Sequence, residues 1–410
     1  MARARIVGWC ALWLAVLMAL LLVGPPLSYG QQSLYCVRSF RFTDWLRLIV
    51  VCDTGDYVAL AAEPWGLLDI DSARQSRPGF VALAYLLSVV WRWPGALVSG
   101  LLPSDLGEMP GTAERIAFAL SHWVAGYLAY ISLNVAVLLA AVWGSLRLLP
   151  SKIGAAVPVI LICILALLLA NDVVKAFVWS AHTQMFNIAI PVLTIGLILH
   201  PLAPSRAAWA AMGLGLAMLI YASFALGFAG MLVGLWRIRP GWHRLMTYCV
   251  MFVLPSAAWA AVVWWVNGTY HVAEMSQYGE FVWIARSWQQ GPAAFALAAL
   301  DNAWFFLAAA AAQAVPALLV LLYAAIRARR LPAEATLAAG AVCLLALGFF
   351  TLIGWHAERL SITAVVPVVW LAARVVAEAK TAWTWTDAAV IGAVAFGQSM
   401  VMIAKSGPLS

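Results

Sequence analysis

The chain has 410 residues, 65% of them hydrophobic and only 10% charged, and a mean hydropathy of +0.93. Those values lie far outside the range of soluble domains. Much of the net charge of +7 sits in clusters flanking apolar spans, "RIRPGWHR" at 237 to 244 and "RARR" at 327 to 330. That placement follows the positive-inside rule, so it points to a lipid bilayer and argues against nucleic acid as a partner.

Apolar stretches near the roughly 20 residues that cross a bilayer recur from end to end, and nothing alternates like a barrel strand. The expected fold class is therefore all-α: a polytopic helical membrane protein with about eleven transmembrane helices, in a single domain over 1–410. The N-terminus, "MARARIVGWCALWLAVLMALLLVG", has the basic flank of a signal peptide, but its apolar run of about 18 residues exceeds the roughly 7–15 of a signal h-region. It is read as an uncleaved first helix at 5 to 24, with Arg3 and Arg5 inside and 25–79 forming the first extracytoplasmic loop, which is expected to carry short juxtamembrane helices. Further spans are expected at 80–102, 115–143, 153–170, 184–199, 207–235, 245–266, 296–326, 335–354, 360–378 and 384–404. The 22 tryptophans suit interfacial belts.

Two topologies fit the middle of the chain. Simple alternation places Arg147 and Lys152 outside and 171–183 inside. In the other, 80–102, interrupted by "WRWP", does not cross fully and 207–235 is a short hairpin. Both basic loops then stay inside and 171–183 moves outside, which the charge rule favours.

Polar chemistry concentrates in the first outer loop. "SFRFTDWLRLIVV" reads as an amphipathic helix at the membrane interface with Arg38, Arg41 and Arg47 facing headgroups. Cys36 and Cys52 fall in the same loop, as a disulfide or as two unpaired thiols. In "VVCDTGDYVALA", Asp53 and Asp56 are three apart and share a face if the stretch is helical. A carboxylate at the membrane edge suits a general base; a solvated pair capping the next helix is the plainer alternative. "DID" at 69–71 is a weak metal signal, no metal or other cofactor is predicted, and Asn267-Gly-Thr269 is a short glycosylation sequon.

"CDTGDYVALA" followed by "SRPGFVALAYLLS" resembles the start of polytopic glycosyltransferases of the GT-C superfold, the class that includes protein O-mannosyltransferases and aminoarabinose transferases. In that pattern Asp53 takes the place of the loop aspartate, Tyr57 and Ala61 the "YxxxA" stretch, and Arg77 with Pro78 the Arg-Pro element. The acidic residue that often follows the aspartate directly is replaced by Thr54, with the second acid delayed to Asp56, so either carboxylate fits as base. "GWHAERLSITAVVPVVWLAAR" resembles the late segment of the same enzymes, which implies Arg359 and His356 as ligands of a donor phosphate; an interfacial Arg359 paired with Glu358 is the structural alternative.

The polar stretch "NDVVKAFVWSAHTQMFN" adds Asp172, Lys175, His182 and Gln184, with Lys175 a further candidate for the donor phosphate. Tyr57, Arg77, His182 and Gln184 are candidates for substrate binding. The resemblance thus implies an enzyme of the bacterial inner (plasma) membrane with its active site facing outward. It would move a sugar from a polyprenyl-phosphate donor to a hydroxyl on a glycan, glycolipid or protein. A polysaccharide polymerase or ligase is a rival, as is a transporter or flippase. The latter would need ionisable residues near midplane, where Arg92 and Asp301 are the residues to watch.

Overall fold

Length and hydropathy together separate the helices of this chain that can reach across a bilayer from those that cannot. The computed structural model describes residues 2–23, 37–41, 47–51, 53–70, 72, 74–99, 113–150, 156–269 and 280–404. In chain order these form α1 (Ala2–Leu21), strands β1 (Val37–Arg41) and β2 (Arg47–Val51), α2 (Asp53–Ala62), α3 (Pro78–Ser99), α4 (Ala113–Arg147), α5 (Val157–Ala166), α6 (Asp172–Phe177) and α7 (Phe186–Leu199). There follow α8 (Pro204–Met218), α9 (Ala225–Trp236), α10 (Trp242–Asn267), α11 (Val282–Gln289), α12 (Pro292–Ala328), α13 (Ala333–Ile353), α14 (Ala357–Leu360), α15 (Ile362–Glu378) and α16 (Trp385–Ala404).

Seven helical stretches among the described residues are long and apolar enough to cross a membrane: 3–21, 122–147, 242–267, 292–328, 333–353, 357–378 and 385–404. The protein is a helical integral membrane protein, but the expectation of about eleven spans is corrected. Hydropathy counts apolar length and is blind to breaks. The apolar run at 153–170 holds only the ten-residue α5, 184–199 is a short helix entered through a 3-10 turn, and 207–235 is split between α8 and α9.

Cross-contacts sort the helix ends into two groups. At one end Arg3 donates to the carbonyl of Leu149 (2.8 Å) and Arg374 to that of Leu148, cations well placed at the C-terminus of α4. Arg237 pairs with Glu334 (2.9 Å) and Arg327 with Asp387 (2.9 Å) at this same basic end. At the opposite end Trp179 donates to the Met18 carbonyl, the Gly79 amide to Leu219 and Gln313 to Glu358. Exposed tryptophans mark both ends of α10, Trp242 at one and Trp264 with Trp265 at the other, as interfacial belts require.

This connectivity follows the second of the two topologies. The ring of Phe80, early in α3, lies tilted against that of Tyr130 of α4 (4.8 Å), whereas Gly95, late in α3, lies against Ala125. The helix therefore runs toward the start of α4, away from the basic end, and does not cross. Between α8 and α9 the chain turns at 219–224 and returns with Leu214 packed on Gly227, a hairpin. Gly230 and Gly234 let α9 approach α7 so closely that a methyl group on either would collide with Thr194 or the Leu197 carbonyl, the small-xxx-small packing favoured between membrane helices. Of the two residues watched as midplane charges, Arg92 is exposed on the non-crossing α3 and Asp301 is exposed, nine residues from the start of α12 at the end opposite the basic one.

The first outer loop departs from expectation in one element and meets it in another. The stretch read as an amphipathic helix is instead an antiparallel ribbon, with Val37 opposite Val51 and Arg41 opposite Arg47. "RLIVV" is rich in β-branched residues, whose preference for a pleated surface overrides the helical spacing of the arginines. Short helices follow as expected: α2, then a 3-10 turn at Pro64–Leu68. Cys36, Cys52 and Asp71 lie outside the described residues.

Between α5 and α7 the backbone leaves regular helix while remaining buried, so its polar groups need partners from elsewhere. Asn134 of α4 supplies them. Its amide nitrogen donates to the carbonyls of Phe177 (3.0 Å), Val178 (3.2 Å) and Ser180 (2.8 Å), Tyr127 donates to Trp179 (2.5 Å), and Asn171 caps α6 by accepting from the Val174 amide (3.0 Å).

Two outcomes follow. Cysteines at Trp65 and Arg92 will be labelled by an impermeant thiol reagent from the same side of the membrane, and one at Arg329 only from the other; labelling of positions 65 and 92 from opposite sides would overturn the non-crossing α3. Asn134→Leu, which leaves buried carbonyls unsatisfied at about 1–3 kcal/mol each, will lower the unfolding midpoint in detergent far more than Ser132→Ala.

Candidate functional site

The site is assembled on α2. Its first turn carries Asp53 and Asp56, both favourable at a helix N-terminus, and its buried face carries Thr54, Tyr57, Val58 and Ala61. Tyr57 and Ala61 are one turn apart because that face packs on α4, where Gly126 admits Val58 and Ala61 closely. Tyr57 is fully buried; Tyr130 donates to its carbonyl (3.1 Å), and the rings of Phe80 and Tyr130 meet its ring edge-on at 5.2 and 5.7 Å.

The loop that leads to α3 brings two guanidinium groups to this helix. Gln75 fixes the loop by donating to the Leu67 carbonyl (3.1 Å), and Trp259 of α10 donates to the Gln75 carbonyl (2.8 Å). Arg74, only 3% exposed, then places Nη2 2.5 Å from Asp53 Oδ1 and 3.6 Å from Asp56 Oδ2, with its guanidinium over the Tyr57 ring at 5.1 Å. Arg77 donates from Nη1 to the Tyr57 hydroxyl (2.7 Å) and to Thr183 Oγ1 (3.0 Å), and lies over the Tyr221 ring at 5.8 Å.

The broken segment between α5 and α7 supplies the other side. His182 Nε2 is 3.3 Å from Asp53 Oδ2, while its Nδ1 is buried with no hydrogen-bond partner among the described residues. The Phe177 ring lies 4.7 Å from the His182 ring, and the Arg359 guanidinium of α14 lies over the Phe177 ring at 5.3 Å. His356, the residue before α14, adopts a left-handed backbone (φ +55°), a conformation uncommon outside glycine and concentrated at functional sites.

The charges are strongly coupled. Burial opposes ionisation of Asp53, but the hydrogen bond from His182 and the charges of Arg74 and Arg77 outweigh it and hold the carboxyl well below the usual range. Asp56, more than half exposed, is shifted the other way: partial desolvation and the Asp53 charge outweigh Arg74. Burial, together with Arg77 and Arg359, pushes His182 down to about 4 against the pull of Asp53. Burial, Arg359, His182 and Arg77 push His356 down to about 3. At neutral pH both imidazoles are therefore uncharged, and His182 donates its Nε2 hydrogen to Asp53.

The expected residues come together in large part. Asp53, Asp56, Arg77, His182, His356 and Arg359, drawn from three distant parts of the chain, form one constellation at the end opposite the basic one. Tyr57 was expected to bind substrate, but with no exposed surface it serves to hold Arg77. Gln184 is buried at the wall of the site, accepting from Asn187 Nδ2 (2.5 Å), which also donates to Tyr221 (3.0 Å). Lys175 is buried on α6, the helix that bears Phe177, and Asp172 lies in the first turn of that helix. Arg74 was not singled out from the sequence; its three-residue spacing from Arg77, just before Pro78, was the available signal. Thr183, Phe177 and Tyr221 had none. No group of three or more His, Cys, Asp and Glu side chains among the described residues is arranged to hold a metal ion.

Comparison of the chain with protein-family models, with curated proteins and with solved structures finds no match. The functional argument accordingly rests on the site.

Removing Arg74 leaves a carboxylate pair without its buried counter-charge. Arg74→Met is expected to cost about 3–5 kcal/mol, and Arg237→Met, at the exposed pair with Glu334, about 0–1 kcal/mol, both read from thermal unfolding in detergent. Acid will also destabilise the fold in a defined window. His182 ordinarily titrates at 6.5 and is held to about 4, so the unfolded chain binds the extra proton and stability falls as pH drops from about 6.5 to about 4. Asp53 acts in the same direction below its ordinary 3.8. His182→Gln will remove part of the decline between pH 6.5 and 4.5.

Proposed function

We propose that the protein is a membrane glycosyltransferase that moves a sugar from a polyprenyl-phosphate donor to a hydroxyl acceptor, a glycan, a glycolipid or a protein, at the extracytoplasmic face. The observation that carries this reading is the meeting of a carboxylate pair with Arg77, Arg359 and His356 at one end of the bundle. The two halves are suited to opposite ends of one reaction. A carboxylate removes the proton of the attacking hydroxyl, and guanidinium groups stabilise the charge that develops on the departing phosphate.

Arg74 is engaged with Asp53 and Asp56, so the cationic charge facing a phosphate would come from Arg77 and Arg359. Arginine binds phosphate oxygens through two parallel donors, which also orients the leaving group. His356, uncharged at neutral pH, contributes a hydrogen bond rather than a charge. The positive-inside rule places the basic end in the cytoplasm, and hence this site outside, where activated nucleotide sugars are absent and a lipid-borne donor is needed.

Two features weigh against the transporter reading. Arg92 and Asp301 are exposed, and the paired ionisable residues among the described ones lie toward the two ends of the bundle instead of at its middle.

Glycan and glycolipid profiling of cells lacking the protein will show loss of one sugar from a defined product. Wild type will restore it, and Arg359→Met will restore less than about a tenth of it at equal expression. Identical profiles with and without the protein would overturn the glycosyltransferase reading.

A further inference from the structure

The two carboxylates at the start of α2 are close in sequence and unlike in circumstance. Asp53 is 21% exposed, and both its oxygens are committed: Oδ1 to Arg74 at 2.5 Å and Oδ2 to His182 at 3.3 Å. Asp56 is 59% exposed, and its nearest cation, the same Arg74 nitrogen, is 3.6 Å from Oδ2. The sequence resemblance assigns the base to the position of Asp53. A base, however, needs a lone pair that can reach a hydroxyl and an affinity for the proton it takes.

We infer that Asp56 is the group that accepts the proton from the acceptor hydroxyl, and that Asp53 is a positioning residue that fixes Arg74 and His182. This assignment rests on the glycosyltransferase reading and refines it. Protonation of a carboxylate whose two oxygens already accept charge-assisted hydrogen bonds weakens both bonds, and the buried Arg74 guanidinium would then lose much of its counter-charge. Asp56 pays neither penalty. Its oxygens face outward from the first turn of α2, next to the Arg77 and Arg74 loop, and the charged groups that act on it are Arg74 and Asp53. Their balance leaves it with more proton affinity than Asp53, the direction in which a general base is improved.

The step balances without any further reactant. A lone pair of the acceptor oxygen forms the bond to the anomeric carbon as the hydroxyl proton passes to a carboxylate oxygen of Asp56. The bond between the anomeric carbon and the phosphate oxygen breaks, and its electron pair leaves with the polyprenyl phosphate. Asp53 remains ionised throughout and keeps Arg74 between the two carboxylates, so that the negative charge of Asp56 is compensated before transfer and the guanidinium is still paired with Asp53 afterwards.

The test adds purified full-length chain to detergent-permeabilised membranes from cells lacking it, which contain unused donor and unmodified acceptor together. Restoration of the missing sugar is followed from pH 9 down to pH 4. Asp56→Asn is expected to lower the rate by at least about a hundredfold while its unfolding midpoint and its affinity for undecaprenyl phosphate stay close to wild type; Asp56→Glu recovers part of the rate. The wild-type rate falls toward acid as Asp56 is protonated, and the residual rate of Asp56→Asn lacks that fall. Asp53→Asn lowers the unfolding midpoint and keeps the acid fall in whatever rate remains. An Asp56→Asn rate within about threefold of wild type, or a rate loss matched by loss of undecaprenyl phosphate binding, overturns the assignment and leaves the glycosyltransferase reading intact. Failure of the wild-type chain to restore any sugar overturns both.

Discussion

A stretch of irregular backbone buried among apolar helices sets the terms for the rest of this molecule. Buried as they are, the carbonyls and amides that a broken helix releases find no water, so other residues must take them up. Asn134 meets three of these carbonyls, Tyr127 a fourth, and Asn171 takes up an amide. With the segment pinned in this way, His182, Thr183 and Phe177 are held below the helix ends, where residues from the first outer loop and from α14 can reach them. The break in helix is thus the origin of the site, and α4 is the beam that supports it.

Arg74 is the electrostatic counterpart of Asn134. Two carboxylates so close together in a poorly solvated place would repel each other and attract a proton; one buried guanidinium between them permits at least one to stay charged. The cost of burying Arg74 is offset by Asp53 and by the face of Tyr57, and Tyr57 in turn positions Arg77. Because the same tyrosine meets both arginines, the geometry of the carboxylate side and of the cationic side is mechanically linked. The two neutral histidines extend this arrangement, one donating to Asp53 and one beside Arg359, without adding further charge to a region already rich in cations.

Much of the site could be read as a list of residues and little of it as an arrangement. Asp53, Asp56, Arg77, His182, His356 and Arg359 stand out because charged and polar residues are scarce in this chain, and each is found at the constellation. Their partners were less visible. Phe177 and Tyr221 are ordinary aromatic residues in a chain full of them, and only its spacing from Arg77 and Pro78 sets Arg74 apart from Arg38 or Arg47. The strand ribbon was missed because "SFRFTDWLRLIVV" satisfies a helical spacing of arginines while its β-branched end favours pairing, and local periodicity does not weigh one against the other. The span count was too high for a related reason: an apolar window contains no record of where helical hydrogen bonds stop.

By itself the sequence determined that the protein lies in a membrane, that it does so with helices, and that the basic clusters at 237–244 and 327–330 share one side. These follow from composition and charge, which act residue by residue through transfer free energies and the positive-inside rule. Only the tertiary structure decided that α3 turns back along α4 without crossing, that Asp53 is occupied on both oxygens while Asp56 is not, and that His356 and Arg359 meet residues from the opposite end of the chain. Those outcomes depend on which groups share a buried volume. Pairing and desolvation, unlike hydropathy, are properties of neighbours in space, and neighbours separated by up to three hundred residues leave no local trace in the sequence.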